Sequence, residues 1–225
     1  MDYGFLAETE LFVGIDAGEI KDALNCLSAY EKCFAKGEII YRTGQAVTDI
    51  GLVEEGGVNI VVNLYWGSSI IFGNIKAGEL FAETYAAVPG KELLCDAVAA
   101  ENCKILFLNM RKLLDAYGNT CGFHQKIIHN LLRISAMKNI KLSSRMLHTA
   151  PKTIRGKLVS YFSQMAAETG DREFTVPFSR QELSDYLGVD RSALSNELSK
   201  MQSDGILTYK KNRFKLNKNA DLIVI

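Results

Sequence analysis

One stretch near the C-terminal end, from Phe178 to Met201, constrains the fold more than any other part of the sequence. Ser179 and Glu182 have the residue types and the spacing of a capping box, so a helix is predicted to begin there. Gly188 suits the left-handed residue that ends a helix, and Asp190 suits the cap of a second helix directly after it. Two helices joined by so short a turn predict a helix-turn-helix.

The two predicted helices have apolar residues at helical spacing, which allows them to pack on each other. These residues are Leu183, Leu187, Leu194, Leu198 and Met201. The other face of the second helix is polar and consists of Arg191, Ser192, Ser195 and Asn196. Its side chains can hydrogen-bond to base edges or phosphates, and a guanidinium suits guanine. The alternative interpretation of this stretch is an ordinary helical hairpin with a solvated polar face.

The residues that follow favour the first interpretation. Residues 205–209 and 213–216 alternate in polarity like two strands of a hairpin, and residues 210–212 form its basic tip. A basic hairpin beside a helix-turn-helix is typical of a winged helix. The charges agree with this assignment, because residues 1–150 have 14 basic and 17 acidic side chains (14 − 17 = −3), whereas residues 151–225 have 12 and 9 (12 − 9 = +3).

The segment RQELSDYLGVDRSALSNELSKMQSDGIL, residues 180–207, resembles the DNA-binding end of the Crp/Fnr family of bacterial transcription regulators. The resemblance implies a homodimer that binds double-stranded DNA at a palindromic operator, with RNA polymerase as a further partner. The DNA contacts expected from the motif and the resemblance are Arg180, Gln181, Glu182, Asp190, Arg191, Ser192, Ser195, Asn196, Lys200 and Lys211. Family members often have a glutamate and an arginine where this chain has Ser192 and Asn196, so we expect a different preferred half-site.

The part of the chain from Phe34 to residue 108 consists of short β-type runs separated by turns that contain glycine. We predict strands over residues 38–41, 50–53, 58–65, 69–75, 94–99 and 104–108. Short strands at this spacing predict an antiparallel β-roll, that is, a double-stranded β-helix whose interior can hold a small ligand. Residues 6–31 are predicted to form short helices.

Three segments of the predicted roll, residues 34–44, 56–58 and 78–83, resemble the cyclic-nucleotide-binding-like domain of the same family. The ligand contacts implied are Gly78, Glu79, Leu80, Phe81, Ala82, Glu83, Thr84, Leu94 and Cys95. Glu83 can either contact the ligand or accept backbone hydrogen bonds from its own turn. In members that bind cyclic nucleotides, an arginine followed by Ser or Thr clamps the phosphate, whereas this chain has Leu94, Cys95 and Asp96 there. Because a buried phosphate without a charged partner is costly, we expect a small effector other than cyclic AMP.

A long helix is predicted from Phe123 to about Met146, ahead of a joint at Pro151. Its apolar stripe consists of Ile127, Leu131, Ile134 and Met137. The stripe can pack on its own roll or form half of a coiled-coil seam between two chains, and the resemblance favours the second. The predicted α+β organisation is therefore an effector-sensing roll over residues 1–118, a dimerisation helix and hinge over 119–150, and a winged helix-turn-helix over 151–225.

A metal or redox regulator on the same scaffold is the competing hypothesis, with haem or an iron–sulfur cluster as the sensor. The cysteines lie at wide spacings without a tight C-x-x-C pair, which favours reduced thiols. They are Cys26, Cys33, Cys95, Cys103 and Cys121. Because the three histidines do not share a face and no nucleophile–base set is apparent, we expect neither a metal site nor an enzyme.

The sequence begins with an acidic segment and lacks the basic start and apolar core of a signal peptide, which predicts a cytoplasmic protein. Residues 56–75 carry no charge and are about long enough to span a bilayer. Asparagines and the break at Trp66, Gly67 and Ser68 instead favour two paired strands. No membrane association is expected.

Overall fold

The computed structural model describes residues 1–65, 67, 69–115 and 122–217 of the 225-residue chain. Trp66, Ser68 and Cys121, which the sequence analysis singled out, lie outside the described residues. The chain divides into two compact units, Met1–Met137 and Lys138–Ile225. Within the described ranges, no helix has both the length and the apolar character needed to cross a bilayer.

The first unit begins with two helices whose starts are fixed by aspartate caps. Asp2 and Asp16 accept hydrogen bonds from backbone N–H groups in the first turns of α1 (Tyr3–Glu8) and α2 (Ala17–Cys26), respectively. Two short helices follow later in the chain, α3 (Glu83–Ala86) and α4 (Met110–Leu114), and the long helix α5 (Gly122–Thr149) begins in this unit.

Eight strands of the first unit form the predicted antiparallel β-roll. They are β1 (Tyr30–Phe34), β2 (Ile39–Tyr41), β3 (Asp49–Glu55), β4 (Gly57–Asn63), β5 (Ser69–Lys76), β6 (Leu80–Phe81), β7 (Asp96–Ala99) and β8 (Cys103–Asn109). One four-stranded sheet has the order β1-β8-β3-β6 and the other has the order β2-β7-β4-β5. The strand pairs in both sheets are antiparallel.

Aromatic side chains fill the space between the two sheets. The ring of Phe107 lies 6.3 Å from that of Phe34 and 5.8 Å from that of Tyr41, and Tyr41 lies 6.0 Å from Phe81. A Cβ atom at Gly51 would come within 2.3 Å of the Phe81 ring, so this close approach requires glycine. A second apolar cluster joins α1, α2 and the first half of α5 to the other face of the β3 and β8 sheet.

Two details of the predicted pattern were wrong. The helical region predicted over residues 6–31 ends at Cys26, because residues 30–34 pair with β8 and Tyr30 stacks on Phe107 at 5.1 Å. The strand predicted over residues 94–99 begins only at Asp96, because the two preceding residues belong to a bend rather than to the ladder. In both cases partners far along the chain decide the local structure.

The second unit contains the end of α5 and a winged helix-turn-helix. Its further elements are α6 (Ile154–Thr169), β9 (Glu173–Thr175), α7 (Arg180–Leu187), α8 (Arg191–Ser203), β10 (Leu207–Lys210) and β11 (Arg213–Leu216). The strands form a sheet in the order β10-β11-β9, so the predicted two-stranded wing has a third strand. Phe162, Phe174 and Phe214 pack together beneath the helices and hold this strand in place.

Candidate nucleic-acid interface and effector domain

The start and end of α7 follow the predicted capping. The hydroxyl of Ser179 accepts a hydrogen bond from the backbone N–H of Glu182 at 3.3 Å, and the Glu182 carboxylate accepts one from the backbone N–H of Ser179 at 2.7 Å. Gly188 ends the helix in the left-handed conformation, with φ 62° and ψ 50°. These two ends fix the angle at which the chain enters α8.

Helix α8 begins at the predicted cap. The Asp190 carboxylate accepts the backbone N–H of Ala193 at 2.8 Å, and this bond holds the pKa of Asp190 below its usual value. Leu194, Leu198 and Met201 are buried in the core of the second unit. Their burial fixes the rotation of α8, so its opposite face must point away from the core.

The outward face of α8 carries the polar side chains that the sequence singled out. Arg191, Ser192, Asn196 and Lys200 are exposed. Ser195 is half-buried, and its hydroxyl donates to the carbonyl of Arg191 at 2.9 Å. The face thus presents one guanidinium, one ammonium and two short neutral side chains, all of which can hydrogen-bond to DNA.

An ion-pair network anchors α8 to α6. Arg155 on α6 contacts the carboxylate of Glu197 at 2.5 Å and that of Asp204 at 2.7 Å. Its neighbour Lys157 donates to the carbonyl of Leu187 at the end of α7, at 3.0 Å. Sequence reasoning missed Arg155, although two carboxylates seven residues apart on one helix side were a signal for a basic partner.

The end of α5 is bonded to the end of α7. Arg145 donates to the carbonyls of Tyr186 at 3.1 Å and Asp185 at 3.2 Å, where a cation stabilises the negative end of the helix. His148 is buried between the Tyr186 hydroxyl, 2.8 Å from Nδ1, and the Gln164 side chain, 2.7 Å from Nε2. These bonds couple the position of the helix-turn-helix to that of the last turns of α5. Neither residue was predicted from the sequence to have a role.

The predicted phosphate contacts at the wing fall into two groups. Lys211 lies exposed at the tip of the β10–β11 turn, with a φ of 55°. Arg180 instead stacks over the rings of Tyr209 and Phe214, at 5.2 and 5.6 Å, and donates to the Lys211 carbonyl at 3.2 Å. Partial burial lowers the pKa of Arg180. Gln181 donates to the Asp185 carboxylate at 2.9 Å.

In the roll, the predicted ligand residues lie in two segments, residues 78–84 around β6 and residues 94–95 before β7. Leu80 and Phe81 are buried in the apolar cores, and Glu83 is only 6% exposed. Gly78 and Ala82 have positive φ angles of 85° and 64°. The other members are Glu79 and Thr84, which are exposed, Leu94, which is 70% exposed, and Cys95, which is half-buried.

The segment that lacks the arginine of the phosphate clamp holds a carboxylate instead. Asp96 accepts the backbone N–H of Thr43 at 2.7 Å, the Thr43 hydroxyl at 2.8 Å and the Asn63 amide at 2.7 Å. The backbone bond from Thr43, supported by these side chains, holds the pKa of Asp96 below its usual value. This position therefore carries a stable negative charge, which repels a phosphate.

The apolar residues of α5 lie on two faces, one buried in the first unit and one exposed. Ile127, Leu131 and Ile134 are buried in the apolar core of the first unit, which is the alternative in which the stripe packs on its own roll. Met137 is exposed. Ile128 and Leu132, each one residue after a member of the buried stripe, are exposed, and Leu132 is 67% exposed.

Two sequence profiles match the chain. The profile of the cyclic nucleotide-binding domain matches residues 31–119, and that of the Crp-like helix-turn-helix domain matches residues 156–223. The chain belongs to the Crp/Fnr family. It is a Crp/Fnr-type DNA-binding regulator with an effector-binding domain. In the part of the chain that the structure describes, no three His, Cys, Asp or Glu side chains come together as ligands for a metal ion.

Individual relatives are distant in sequence. Electron transport regulator A of Shewanella oneidensis is 21% identical over 202 residues, which cover 87% of this chain and 78% of the relative. The structure of CprK complexed with OCPA is 16% identical, with a TM-score of 0.60 over 90% of this chain and 92% of that chain. CLP of Xanthomonas campestris, a c-di-GMP-responsive global regulator, is 16% identical, with a TM-score of 0.55 over 89% of this chain and 99% of that chain. The structures show a shared fold.

Proposed function

We propose that this Crp/Fnr regulator is a homodimer that inserts α8 of each chain into the major groove of an inverted-repeat operator. The observation that carries the proposal is the polar outer face of α8, with Arg191 and Asn196 exposed while Leu194 and Leu198 are buried behind them. A recognition helix must present hydrogen-bonding side chains in a fixed orientation. The buried leucines and the Arg155 network supply that orientation.

The residues of this interface have different proposed roles. Arg191 is the guanine-reading side chain, with Ser192 and Asn196 beside it on the same face. Lys200 and Lys211 are exposed cations that hold phosphates, and Gln181 is a further exposed donor in the first turn of α7. The remaining predicted contacts act indirectly, because each is engaged within the chain. Glu182 and Asp190 cap helices, Ser195 bonds to its own helix, and Arg180 supports the wing.

The dimer seam is proposed to run along the exposed apolar face of α5. Ile128 and Leu132 are four residues apart, as required for neighbours on one side of a helix. Met137 is five residues beyond Leu132, about 140° further around the helix, so it does not belong to this face. Ile127 and Leu131 are already buried in the roll, so they are unavailable for a partner chain. Relative to the stripe predicted from the sequence, the seam is therefore shifted by one residue.

The effector is proposed to be a small molecule, bound in the roll, that is not cyclic AMP. The carboxylate of Asp96 and the apolar Leu94 stand in place of a phosphate clamp, and a buried anionic phosphate needs a charged partner. Effector binding shifts the population of dimer states and hence the spacing of the two α8 helices. RNA polymerase is the further partner proposed for the DNA-bound dimer.

The operator can be found by selection from random DNA duplexes with the purified protein. We expect an inverted repeat whose half-site centres lie about one helical turn, roughly 34 Å, apart. A selected motif without two-fold symmetry would contradict the proposal. A chain with Leu132→Lys is the matched control, because a charge in the proposed seam should abolish selection of the repeat while the winged helix stays folded.

A further inference from the structure

A cysteine and a histidine meet at the surface of the first unit. Cys26 is the last residue of α2 and is exposed, and its sulfur lies 3.6 Å from Nε2 of His124 in the first turn of α5. The His124 ring is only 4% exposed and stacks on Phe123 with ring centroids 4.6 Å apart. The imidazole is thus held in one orientation by packing, with one nitrogen directed at the thiol.

Burial decides which nitrogen of His124 carries the proton. Within the described chain, the buried Nδ1 atom has no hydrogen-bond partner. A buried N–H group without an acceptor is rarer and more costly than a buried lone pair, so the proton belongs on Nε2. The Nε2–H group then points at the Cys26 sulfur. A ring N–H group beside a cysteine sulfur is the kind of polar neighbour found at reactive cysteines.

The contact with an imidazole distinguishes Cys26 from the other described cysteines. The other cysteines differ. Burial raises the pKa of Cys95 and of Cys103, while Cys33 is exposed on β1.

We propose that Cys26 and His124 form a reactive-thiol site, in which Cys26 is modified by hydroperoxides and by small electrophiles. The exposure of Cys26 provides access and the buried imidazole provides activation, which are the two requirements for a reactive cysteine. His124 is a positioning and activating residue in this site. The site lies outside the DNA interface and does not depend on the identity of the effector.

The reaction with a hydroperoxide balances without a further reactant. The Cys26 sulfur attacks one peroxide oxygen, so an S–O bond forms and the O–O bond breaks. Sulfur is oxidised by two electrons to a sulfenic acid, and the peroxide is reduced to an alcohol, or to water when it is hydrogen peroxide. The proton of the thiol is released to solvent and the leaving oxygen takes up a proton from solvent, so His124 keeps its Nε2 proton throughout. The product adds an oxygen atom beside the first turn of α5.

Alkylation of the full-length reduced protein by iodoacetamide tests the site, with each cysteine quantified by peptide mass spectrometry. Cys33 is the internal control, because it is also exposed but has no imidazole among its described contacts. At pH 7 we expect Cys26 to react about tenfold faster than Cys33. Equal rates at the two positions, or a faster Cys33, would overturn the proposal. This comparison needs no variant.

Two further measurements separate activation from simple exposure. In His124→Gln, the Cys26 rate should fall to that of Cys33 while the Cys33 rate stays unchanged, and an unchanged Cys26 rate contradicts a role for the imidazole. In the wild-type protein, brief treatment with hydrogen peroxide in the presence of dimedone should label Cys26 before Cys33. Labelling of Cys33 first, or equal labelling, counts against the site. If His124→Gln does not fold, the two wild-type comparisons still decide.

Discussion

Replacing Leu132 by alanine tests the dimer seam without removing a side chain from the core of the first unit. Full burial of a leucine side chain contributes about 1.5–3 kcal/mol, and 67% of Leu132 is exposed, so its burial in a dimer contributes about 1–2 kcal/mol per chain. A two-fold interface uses both copies, which gives about 2–4 kcal/mol. Leu132→Ala should therefore raise the dissociation constant of the dimer about 30-fold to 800-fold.

Leu131→Ala is the matched control for this change, because the two leucines are neighbours on α5. Leu131 is only 8% exposed and packs in the core of the first unit, so its truncation should lower the free energy of unfolding by about 2–5 kcal/mol. Sedimentation equilibrium measures the dimer constant, and thermal unfolding measures the stability. The assigned face of α5 is wrong if Leu131→Ala dissociates the dimer without lowering the free energy of unfolding while Leu132→Ala leaves the dimer intact.

Three further outcomes follow from the structure. Arg155→Ala should weaken operator binding, because α8 loses its anchor to α6. Lys126→Ala, which removes an ion pair between α5 and α2, should leave operator affinity unchanged in the same gel-shift titration. Asp96→Asn should lower the thermal stability of the roll at pH 7. Because the folded-state pKa of Asp96 is depressed, the difference from wild type should begin to shrink only as the pH falls below about 4, and it should vanish only below the depressed folded-state pKa. Cyclic AMP or cyclic GMP should leave the melting temperature unchanged, whereas a ligand at a hundred times its dissociation constant adds about 2.7 kcal/mol.

The helix-turn-helix could be predicted from the sequence because its signals are local. The capping box at Ser179 and Glu182, the left-handed Gly188 and the cap at Asp190 each act within a few residues, and all three are found in the structure. The alternation of apolar and polar residues along the roll strands is likewise a local signal. Residues that depend on distant partners were missed or misassigned. Strand β1 forms only because β8 pairs with it.

The choice of helix face illustrates a limit of periodicity. Ile127 and Ile128, like Leu131 and Leu132, are adjacent apolar pairs, so two stripes of similar hydropathy run along α5. Only the packing of α1 and α2 decides which stripe is buried in the roll. Arg180 is a similar case, because its stacking on Tyr209 and Phe214 requires the wing to fold back onto α7.

The central claim is that the outer face of α8 reads DNA sequence, and competitive binding of Arg191→Ala to single-base variants of the selected operator tests it most directly. The account predicts a loss of about 1–3 kcal/mol together with relaxed preference at one base pair of each half-site. Lys211→Ala, the matched control, should weaken all sequences equally and reduce the salt slope by about one. An Arg191→Ala chain that binds the operator with unchanged affinity and base preference would contradict the claim.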